Sequence, residues 1–357
     1  MRSFELADLA RTAEALPFLS ISRQRSFFEQ PEWFGLVEDC WARNGCAATV
    51  AAADDGRVAI VCCRRRRERT LRSCTNLYTT EFNLLGDSSN TAAVRELARQ
   101  LAASPERLEF IQLEGLDPED GSFGALLTGL RGAGWIAKPY FGWVVWRESL
   151  AGVEFQKYLS SRDSLLRNTW RRKQVLLAKT ARPRWQFYRK DDETEAFIAL
   201  YDDVRRRSWK KPEPHPDFIP GLIRAAAAAG ALRMGVLFID DEPAAAQFWI
   251  VRGGKATIYK LVYAEEFARF SPGTLLTMEM MRRVLEQDSP AQVDFGRGDD
   301  AYKKLWLSSR SERWGIEAAN PRTLNGLPRS FWILAGGVRS AVKRKLSRSE
   351  PQSRVQG

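Results

Sequence analysis

Residues 294–306, toward the C-terminus, bring together side chains that can bind anions or move protons. The stretch reads DFGRGDDAYKKLW, and its acceptors and donors are Asp294, Asp299, Asp300, Tyr302, Lys303 and Lys304. Gly296 and Gly298 allow a sharp turn after the apolar residues that precede them. The Gly-Lys-Ser/Thr ending of a P-loop and the carboxylate spacing of an EF-hand are both absent, so no metal site is predicted. Phosphate binding, catalysis and a polar loop that braces a corner of the fold stay open.

A second polar turn lies one helix upstream, in the stretch ARFSPGTLLTME. Gly273 and Thr274 open a predicted helix with free backbone N–H groups, and the positive end of the helix dipole suits a phosphate or pyrophosphate. Arg269 could add a charge-assisted contact. The alternative is an ordinary helix start, with Pro272 setting the turn.

The elements that position these turns form an order that occurs twice. In the C-terminal part, residues 232–267 predict three strands with turns at 240–243 and 253–254, followed by helix 271–288, strand 291–296, helix 300–306 and strand 311–318. The earlier part predicts strand 75–86, helix 91–104, strand 107–116, helix 121–135 and strand 139–149. This repeat of strands and helices predicts two similar α/β lobes.

The net charge of +11 is concentrated in two segments. Residues 162–190 carry ten Lys and Arg against one acid, and residues 322–357 carry eight against one. The first segment predicts a basic connecting helix whose apolar face comprises Leu165, Leu166, Trp170, Leu176 and Leu177. Anion binding by its basic face and a merely solvated face are both open.

The second basic segment predicts an amphipathic helix in the tail. Leu334, Val338, Val342 and Leu346 lie opposite Arg339 and the cations of 343–345. A helix of this kind can lie on an anionic membrane surface, and a frayed terminus is the alternative, with an unstructured end expected after Arg348.

Cysteine, histidine and hydropathy patterns exclude several classes of protein. The five cysteines, all within the first eighty residues, form no CxxC pair, so buried reduced thiols are expected. A single histidine, His215, argues against a His-based zinc site or a Ser-His-Asp triad. Neither a signal peptide nor an apolar run of membrane-spanning length is present, so a cytoplasmic, and at most membrane-peripheral, location is expected.

Taken together, these stretches resemble a known family. A strand meander, a helix opening on Ser-Pro-Gly-Thr and then D-F-G-R-G-D-D-x-Y-K-K-x-W are similar to the GNAT acetyltransferases, especially the CelD-type branch of cellulose and exopolysaccharide loci. The related FemABX peptidyltransferases carry two such lobes and an aromatic-Lys-Lys-x-aromatic motif, matched here by Tyr302, Lys303, Lys304 and Trp306. Residues 150–320 match in motif and element order, and residues 20–150 in order only.

The resemblance implies an α/β fold of tandem lobes, each a mixed, mostly antiparallel sheet flanked by helices. It implies a degenerate N-terminal lobe at 1–150, a connecting helix and its flank at 151–190, an acyltransferase lobe at 191–320 and a basic tail at 321–357. The implied chemistry is transfer of an acyl group from acetyl-CoA or another acyl-CoA to an amine or sugar-nucleotide acceptor.

The resemblance also implies roles for individual residues. The donor pyrophosphate would rest on Ser271, Pro272, Gly273 and Thr274, beside Arg269. Backbone N–H groups near Leu261 to Tyr263 would polarise the thioester carbonyl. Asp294 or Asp299, with Glu279 as a weaker candidate, would take the amine proton, Tyr302 would protonate the thiolate, and Lys303 or Lys304 would meet the oxyanion or a phosphate.

One departure from the family pattern keeps the donor open. The usual loop, Gln/Arg-x-x-Gly-x-Gly/Ala, is replaced by Arg269-Phe-Ser-Pro-Gly-Thr, which is one residue longer before its glycine. Acyl carrier protein or aminoacyl-tRNA therefore remain alternatives, the latter gripped by Arg167, Arg171, Arg172 and Lys173 of the basic helix. A non-catalytic accessory protein of polysaccharide synthesis is the third alternative.

Overall fold

A computed structural model of the chain describes residues 2–6, 25–43, 45–65, 67–104, 107–189 and 193–335. Residues before 150 are called the N half below, and those after it the C half. The tail prediction for residues beyond 335, including the amphipathic pattern through Leu346, lies outside the described residues.

The described strands are β1 (Arg2–Glu5), β2 (Cys46–Ala52), β3 (Val58–Arg65), β4 (Thr70–Ser73), β5 (Leu85–Gly86), β6 (Phe110–Leu116), β7 (Ile136–Ser149), β8 (Pro183–Tyr188), β9 (Leu232–Ile239), β10 (Glu242–Arg252), β11 (Lys255–Tyr263), β12 (Gln292–Arg297) and β13 (Ser309–Ala319). The α-helices are α1 (Pro31–Ala42), α2 (Thr91–Ala102), α3 (Gly121–Gly132), α4 (Phe155–Ser160), α5 (Ser164–Thr180), α6 (Thr194–Arg206), α7 (Phe218–Ala228), α8 (Pro272–Gln287) and α9 (Lys303–Trp306). Short 3-10 helices cover Phe27–Glu29 and Glu265–Phe270, and residues 326–335 are helical.

All of these strands join one mixed sheet, in the order β1-β2-β3-β4-β6-β13-β7-β12-β11-β10-β9-β8, with β5 paired to β3. Its two ends mirror one another. In the N half β4 and β6 are parallel neighbours, and in the C half β11 and β12 are. A crossover through α2 connects β4 to β6, and a crossover through α8 connects β11 to β12. The other strand pairings are antiparallel. The predicted α/β class, with mixed, mostly antiparallel sheets flanked by helices, is confirmed.

The last strand of each half is exchanged at the centre of the sheet. β13, from the C half, lies between β6 and β7, and β7, from the N half, pairs with β12. The strand β7–β13 pairing runs from Ser309 opposite Arg147 to Ala319 opposite Ile136. Each half therefore completes the sheet of the other. The proposed division at residue 150 marks where the repeated order restarts and does not separate two independent sheets.

Helices cover both faces of the C-half sheet. On β10, Phe248 and Ile250 pack toward α6 and α7, whereas Ala245 and Trp249 join the cluster that contains α8. A strand covered on both faces is apolar almost throughout, which explains why residues 244–250 are all buried.

Most of the predicted elements lie where the sequence placed them, with ends shifted by a few residues. The exception is the predicted strand 75–86, which was wrong: only Leu85–Gly86 pairs as a strand, and residues 75–84 form an irregular loop. The helix predicted from residue 91 begins there, and Asn90 caps it, with its Oδ1 accepting from the Ala93 N–H. None of the described helices is long and apolar enough to cross a membrane.

The cysteines Cys40, Cys46, Cys62, Cys63 and Cys74 are buried and unbridged, as expected.

Candidate acyl-transfer site

A cavity of about 880 Å³ lies where β11 and β12 diverge. The two strands pair only from Lys255 opposite Gln292 to Thr257 opposite Asp294. Beyond that point the two strands line the cavity, β11 from Ile258 to Tyr263 and β12 from Phe295 to Arg297. Parallel strands that lose their mutual hydrogen bonds leave backbone groups facing the space between them, which gives this cavity a polar edge.

The start of α8 forms one wall of the cavity. Ser271 has a left-handed φ of 51°, the helix has no side-chain cap at this end, and Pro272 brings no N–H group. Ser271, Gly273 and Thr274 line the cavity. The N–H groups of Gly273 and Thr274 belong to the first turn and have no intrahelical partner, so this wall presents a positive electrostatic potential.

The wall next to the start of α8 includes the free edge of β11. The Ala264 N–H donates to Ala244 on β10, so by strand alternation the N–H groups of Leu261 and Tyr263 point away from β10. The Leu261 carbonyl faces the same way and accepts a hydrogen bond from Lys210 Nζ. Both residues line the cavity. Two backbone donors therefore face the space between the strands.

The turn after β12 is held by Asp294 and Lys303. Asp294 is buried, its Oδ1 accepts from the Gly296 N–H at 2.5 Å, and its Oδ2 lies 3.3 Å from Lys255 Nζ. Lys303 is also buried, and its ammonium meets the carbonyls of Arg297 (2.7 Å) and Gly298 (3.3 Å) and the carboxylate of Asp300 (3.2 Å). An ammonium has three donors, and all are engaged.

These contacts favour bracing roles for two of the predicted catalytic residues. Asp294 does not line the cavity, and its carboxylate is committed to Gly296 and Lys255. Lys303 does line it, but its three donors hold the turn closed. For Asp294 and Lys303 the geometry therefore favours a role in bracing the turn after β12 over a catalytic one.

Tyr302 lies at the mouth of the cavity with a free hydroxyl. Its ring packs edge-on against Phe295, with centroids 5.6 Å apart, and no group among the described residues hydrogen-bonds to its hydroxyl. Burial by the surrounding protein, helped by the Asp300 carboxylate, raises the pKa of Tyr302 to about 12. The phenol keeps its proton at neutral pH, so it is available to donate.

The other predicted residues lie outside the cavity. Asp299 accepts from Arg310 at 3.0 Å and from Trp146 Nε1 at 2.9 Å, and these hydrogen bonds hold the pKa of Asp299 below its ordinary value. Arg269 is exposed over the ring of Phe270, and Glu279 pairs with the arginines of α8. Neither they nor Pro272 and Lys304 line the cavity.

Part of the cavity comes from the N half. Leu77, Tyr78 and Thr80 of the irregular loop 75–84 line it together with the C-half strands. Tyr78 is anchored by ring stacking on Phe218 at 4.1 Å, and its carbonyl accepts from Tyr259. The predicted strand pattern here was misleading because its apolar residues pack in different places, Tyr78 on Phe218 of the C half and Phe82 on Phe34 of the N half.

Two lysines that the sequence did not single out line the cavity, one in the connection between α6 and α7 and one on β11. Lys210 and Lys260 line the cavity, Lys260 pairs with Glu213 at 2.7 Å, and the exposed Trp209 packs on Tyr263. Crowding by the protein, and then the positive charge of Lys260, lower the pKa of Lys210 to about 8, although the side chain keeps access to solvent. The only hint in the sequence was the stretch WKKPEPHP, a proline-rich loop that fits many roles.

Buried ion pairs link the two halves behind the cavity. Glu81 of the loop meets Lys255 of β11 and Arg313 of β13, and Arg313 also meets Asp117. Burial alone would raise the pKa of Glu81, but the charges of Lys255 and Arg313 outweigh it and hold that pKa below its ordinary value. Paired in this way the buried charges fix the loop relative to β11 and β13.

The basic helix α5 borders the same cavity. Leu165, Leu166 and Thr169 line it, while Arg171 and Arg172 are exposed and make no ion pair within the described parts of the chain. Only Leu166 and Leu177 of the predicted apolar face are fully buried, and Leu165 and Leu176 are exposed. Within the described ranges no three His, Cys, Asp or Glu side chains converge on a metal site.

Comparisons with known proteins bear on this site. Residues 164–304 match the family described as Acetyltransferase (GNAT) domain. The match begins at α5 and ends in α9, so it spans β11, α8 and β12, and this part of the chain is GNAT-like. No curated protein sequence matches the chain.

Solved structures share the fold over nearly the whole chain. FemX superposes with a TM-score of 0.60 at 12% identity, over 88% of this chain and 97% of its own. The C-terminal domain of a protein assigned as a lysylphosphatidylglycerol synthetase, from Agrobacterium fabrum, gives 0.55 at 13%, over 93% and 96%. The L-PGS structure from Bacillus licheniformis gives 0.53 at 11%, over 91% and 95%. At these identities the likeness establishes the fold.

Proposed function

We propose that the protein is a GNAT-type N-acyltransferase that moves an acyl group from acyl-CoA to an amine in the C-half cavity. The observation that carries this proposal is the open divergence of β11 and β12, walled by the uncapped start of α8. The family match at residues 164–304 covers the same elements. The CelD-type resemblance supports an amino sugar or another envelope or exopolysaccharide precursor as the acceptor.

The donor binds through backbone groups. The N–H groups of Gly273 and Thr274 receive the pyrophosphate, and the helix dipole adds to the attraction. The N–H groups of Leu261 and Tyr263 face the thioester carbonyl and stabilise the oxygen as it gains negative charge.

Transfer then requires two proton movements. The acceptor amine loses a proton, its nitrogen attacks the thioester carbon, the C–S bond breaks, and the departing thiolate takes a proton from Tyr302. Lys210 lines the cavity and its pKa is lowered to about 8, so its neutral form can accept the amine proton, with the Asp300 carboxylate as the alternative. Asp294 and Asp299, the bases implied by the family resemblance, are engaged elsewhere.

Calorimetry with CoA and acetyl-CoA tests the donor site. The wild type should bind with a Kd on the order of 10 μM. Gly273→Asp should weaken binding by about 100-fold or more, because it puts a carboxylate beside the donor phosphates and at the cavity wall. The matched control is Ala92→Asp, the corresponding second position of α2 in the N half, which should bind as the wild type does. Wild-type-like binding by Gly273→Asp would refute the assignment of this wall.

An aminoacyl-tRNA-dependent transferase is the second candidate, favoured by one observation. Arg171 and Arg172, which are exposed and have no ion-pair partner among the described residues, lie on the helix that borders the cavity. If the donor is a charged tRNA, CoA should not bind, and tRNA should bind with an affinity that falls steeply with salt. Arg171→Glu with Arg172→Glu should then abolish binding, whereas Arg99→Glu with Arg206→Glu should preserve it. If the protein binds neither CoA nor tRNA, the remaining candidate is a non-catalytic accessory protein of polysaccharide synthesis.

A further inference from the structure

Five large apolar side chains are exposed close together at the end of the described chain. They are Leu324, Leu327, Phe331, Trp332 and Leu334. Among the described residues twelve large apolar side chains are exposed, and these five fall within eleven positions. Phe331 and Trp332 are 65% and 75% exposed. Single exposed apolar residues are ordinary, but a cluster of this size marks an interaction surface.

The helix 326–335, which carries four of these five side chains, lies with one face on the protein. Gly326, Ser330 and Ile333, at helical spacing, are buried against it. Arg329 stacks over the ring of Phe110, and Asn325 hydrogen-bonds to Glu109, so the helix is fixed to the start of β6. The exposed face is therefore held outward by the fold, with Leu327, Phe331 and Leu334 in line along it.

The charge that follows indicates what covers this face. Residues 336–357 carry six Lys and Arg against one Glu, directly after the apolar helix. A second copy of the chain would bring an equally basic segment to the same face, and the two would repel each other. An anionic lipid surface satisfies both features, since aromatic and aliphatic side chains enter the headgroup boundary while nearby cations meet lipid phosphates.

We propose that the exposed face of helix 326–335 docks the protein on an anionic membrane surface. Aromatic side chains supply the apolar anchor, and cations of 336–357 supply the preference for negative lipid. This inference concerns a surface apart from the C-half cavity and does not depend on the acyl-transfer proposal.

Cosedimentation of the full chain with vesicles tests the surface. Vesicles containing about 30% phosphatidylglycerol should retain the protein at low salt, and phosphatidylcholine alone should retain it at least about tenfold less. Phe331→Ser with Trp332→Ser should lower the partition coefficient by about tenfold or more without lowering the melting temperature, because both side chains are exposed. Phe141→Ser, which removes an exposed aromatic side chain from β7, away from this helix, should bind as the wild type does.

Charge variants and oligomeric state complete the test. Lys343→Glu with Arg344→Glu and Lys345→Glu should remove the preference for anionic vesicles. The proposal is wrong if the Ser variant binds like the wild type, or if the wild type ignores lipid composition. It is also wrong if light scattering shows a dimer that the Ser variant dissociates, or if deleting 336–357 increases binding to neutral vesicles, which would show that the segment itself covers the face.

Discussion

The N half and the C half each contain a pair of parallel strands that diverge, and the two divergences differ in what occupies them. In the C half the space beyond Thr257 and Asp294 is an open cavity. In the N half β4 and β6 pair only as far as Arg72 opposite Gln112. Beyond this point Ser73 Oγ accepts from the Glu114 N–H, and the Phe82 N–H donates to the Gly115 carbonyl.

The chain itself therefore fills the N-half divergence. Phe82 and Trp143 are buried there, and the Trp143 indole donates to the Thr80 carbonyl. The helix that follows each divergence differs too. The start of α2 in the N half is capped by Asn90, whereas the start of α8 in the C half has no side-chain cap and keeps its N–H groups open to the cavity. The loop that fills the N-half divergence also supplies Leu77, Tyr78 and Thr80 to the C-half cavity. The N half therefore contributes part of the wall of the C-half cavity.

The largest effect should come from removing the N-half filling. Phe82→Ala should lower the free energy of unfolding by about 3–5 kcal/mol, because it empties a packed, fully buried position. Leu77→Ala, on the exposed part of the same loop, should cost less than about 1 kcal/mol. Urea titration measures both. Equal losses would mean that the loop does not fill the N-half divergence as described.

Tyr302 and Tyr140 allow a comparison between a hydroxyl that has no hydrogen-bond partner among the described residues and one that donates to a backbone carbonyl. Tyr302→Phe should slow the release of CoA thiol from acetyl-CoA by about 100-fold, since the proton donor is lost, with Kd for CoA little changed. Tyr140 donates to the Leu113 carbonyl at 3.1 Å, so Tyr140→Phe should cost about 1 kcal/mol of stability and leave thiol release alone. A thiol-release rate unaffected by Tyr302→Phe would remove Tyr302 from the mechanism.

Glycine-to-alanine substitutions contrast the two divergences directly. Gly115 has a φ of 85°, and a Cβ there would lie 2.9 Å from the Trp143 ring, so Gly115→Ala should destabilise the protein by about 2 kcal/mol. At Gly273 the added Cβ meets Leu261 and Tyr263 at 3.4 Å, an ordinary contact, so stability should change by less than about 0.5 kcal/mol. Thermal or urea unfolding compares them, and the opposite order would contradict the filled and open descriptions.

The smallest effect concerns Lys210. Since its pKa is about 8, the neutral and therefore reactive fraction of the amine should reach half near that pH and rise above it. Lys260→Met removes a neighbouring positive charge, so it should raise the midpoint by about half a pH unit, the remaining shift coming from burial. Competitive acylation read by mass spectrometry gives the midpoint, with Lys304→Met as a control. A midpoint near 10 in the wild type would dismiss Lys210 as the base.

Local pattern predicted most of the elements of the C half, because their periodicities are strong and their turns carry Gly-Gly or Asp-Asp-Glu-Pro signals. The β9–β11 meander, helix α8 and strand β12 follow the predicted order. The sequence also placed Ser271, Gly273, Thr274, Leu261, Tyr263, Tyr302 and Lys303, which the fold brings around one cavity. The catalytic or binding roles of these residues stay predictions.

What the sequence by itself determined was the repeat of element order and the polar turns that follow β11 and β12. Only the tertiary structure decided that β7 and β13 exchange places, that loop 75–84 fills one divergence and lines the other, and that Lys210 lies beside Lys260 and Leu261. These features depend on contacts between residues far apart in the chain. Hydrophobic period and turn chemistry report a residue's own neighbourhood, so neither could show which strand edge or charge would lie opposite it.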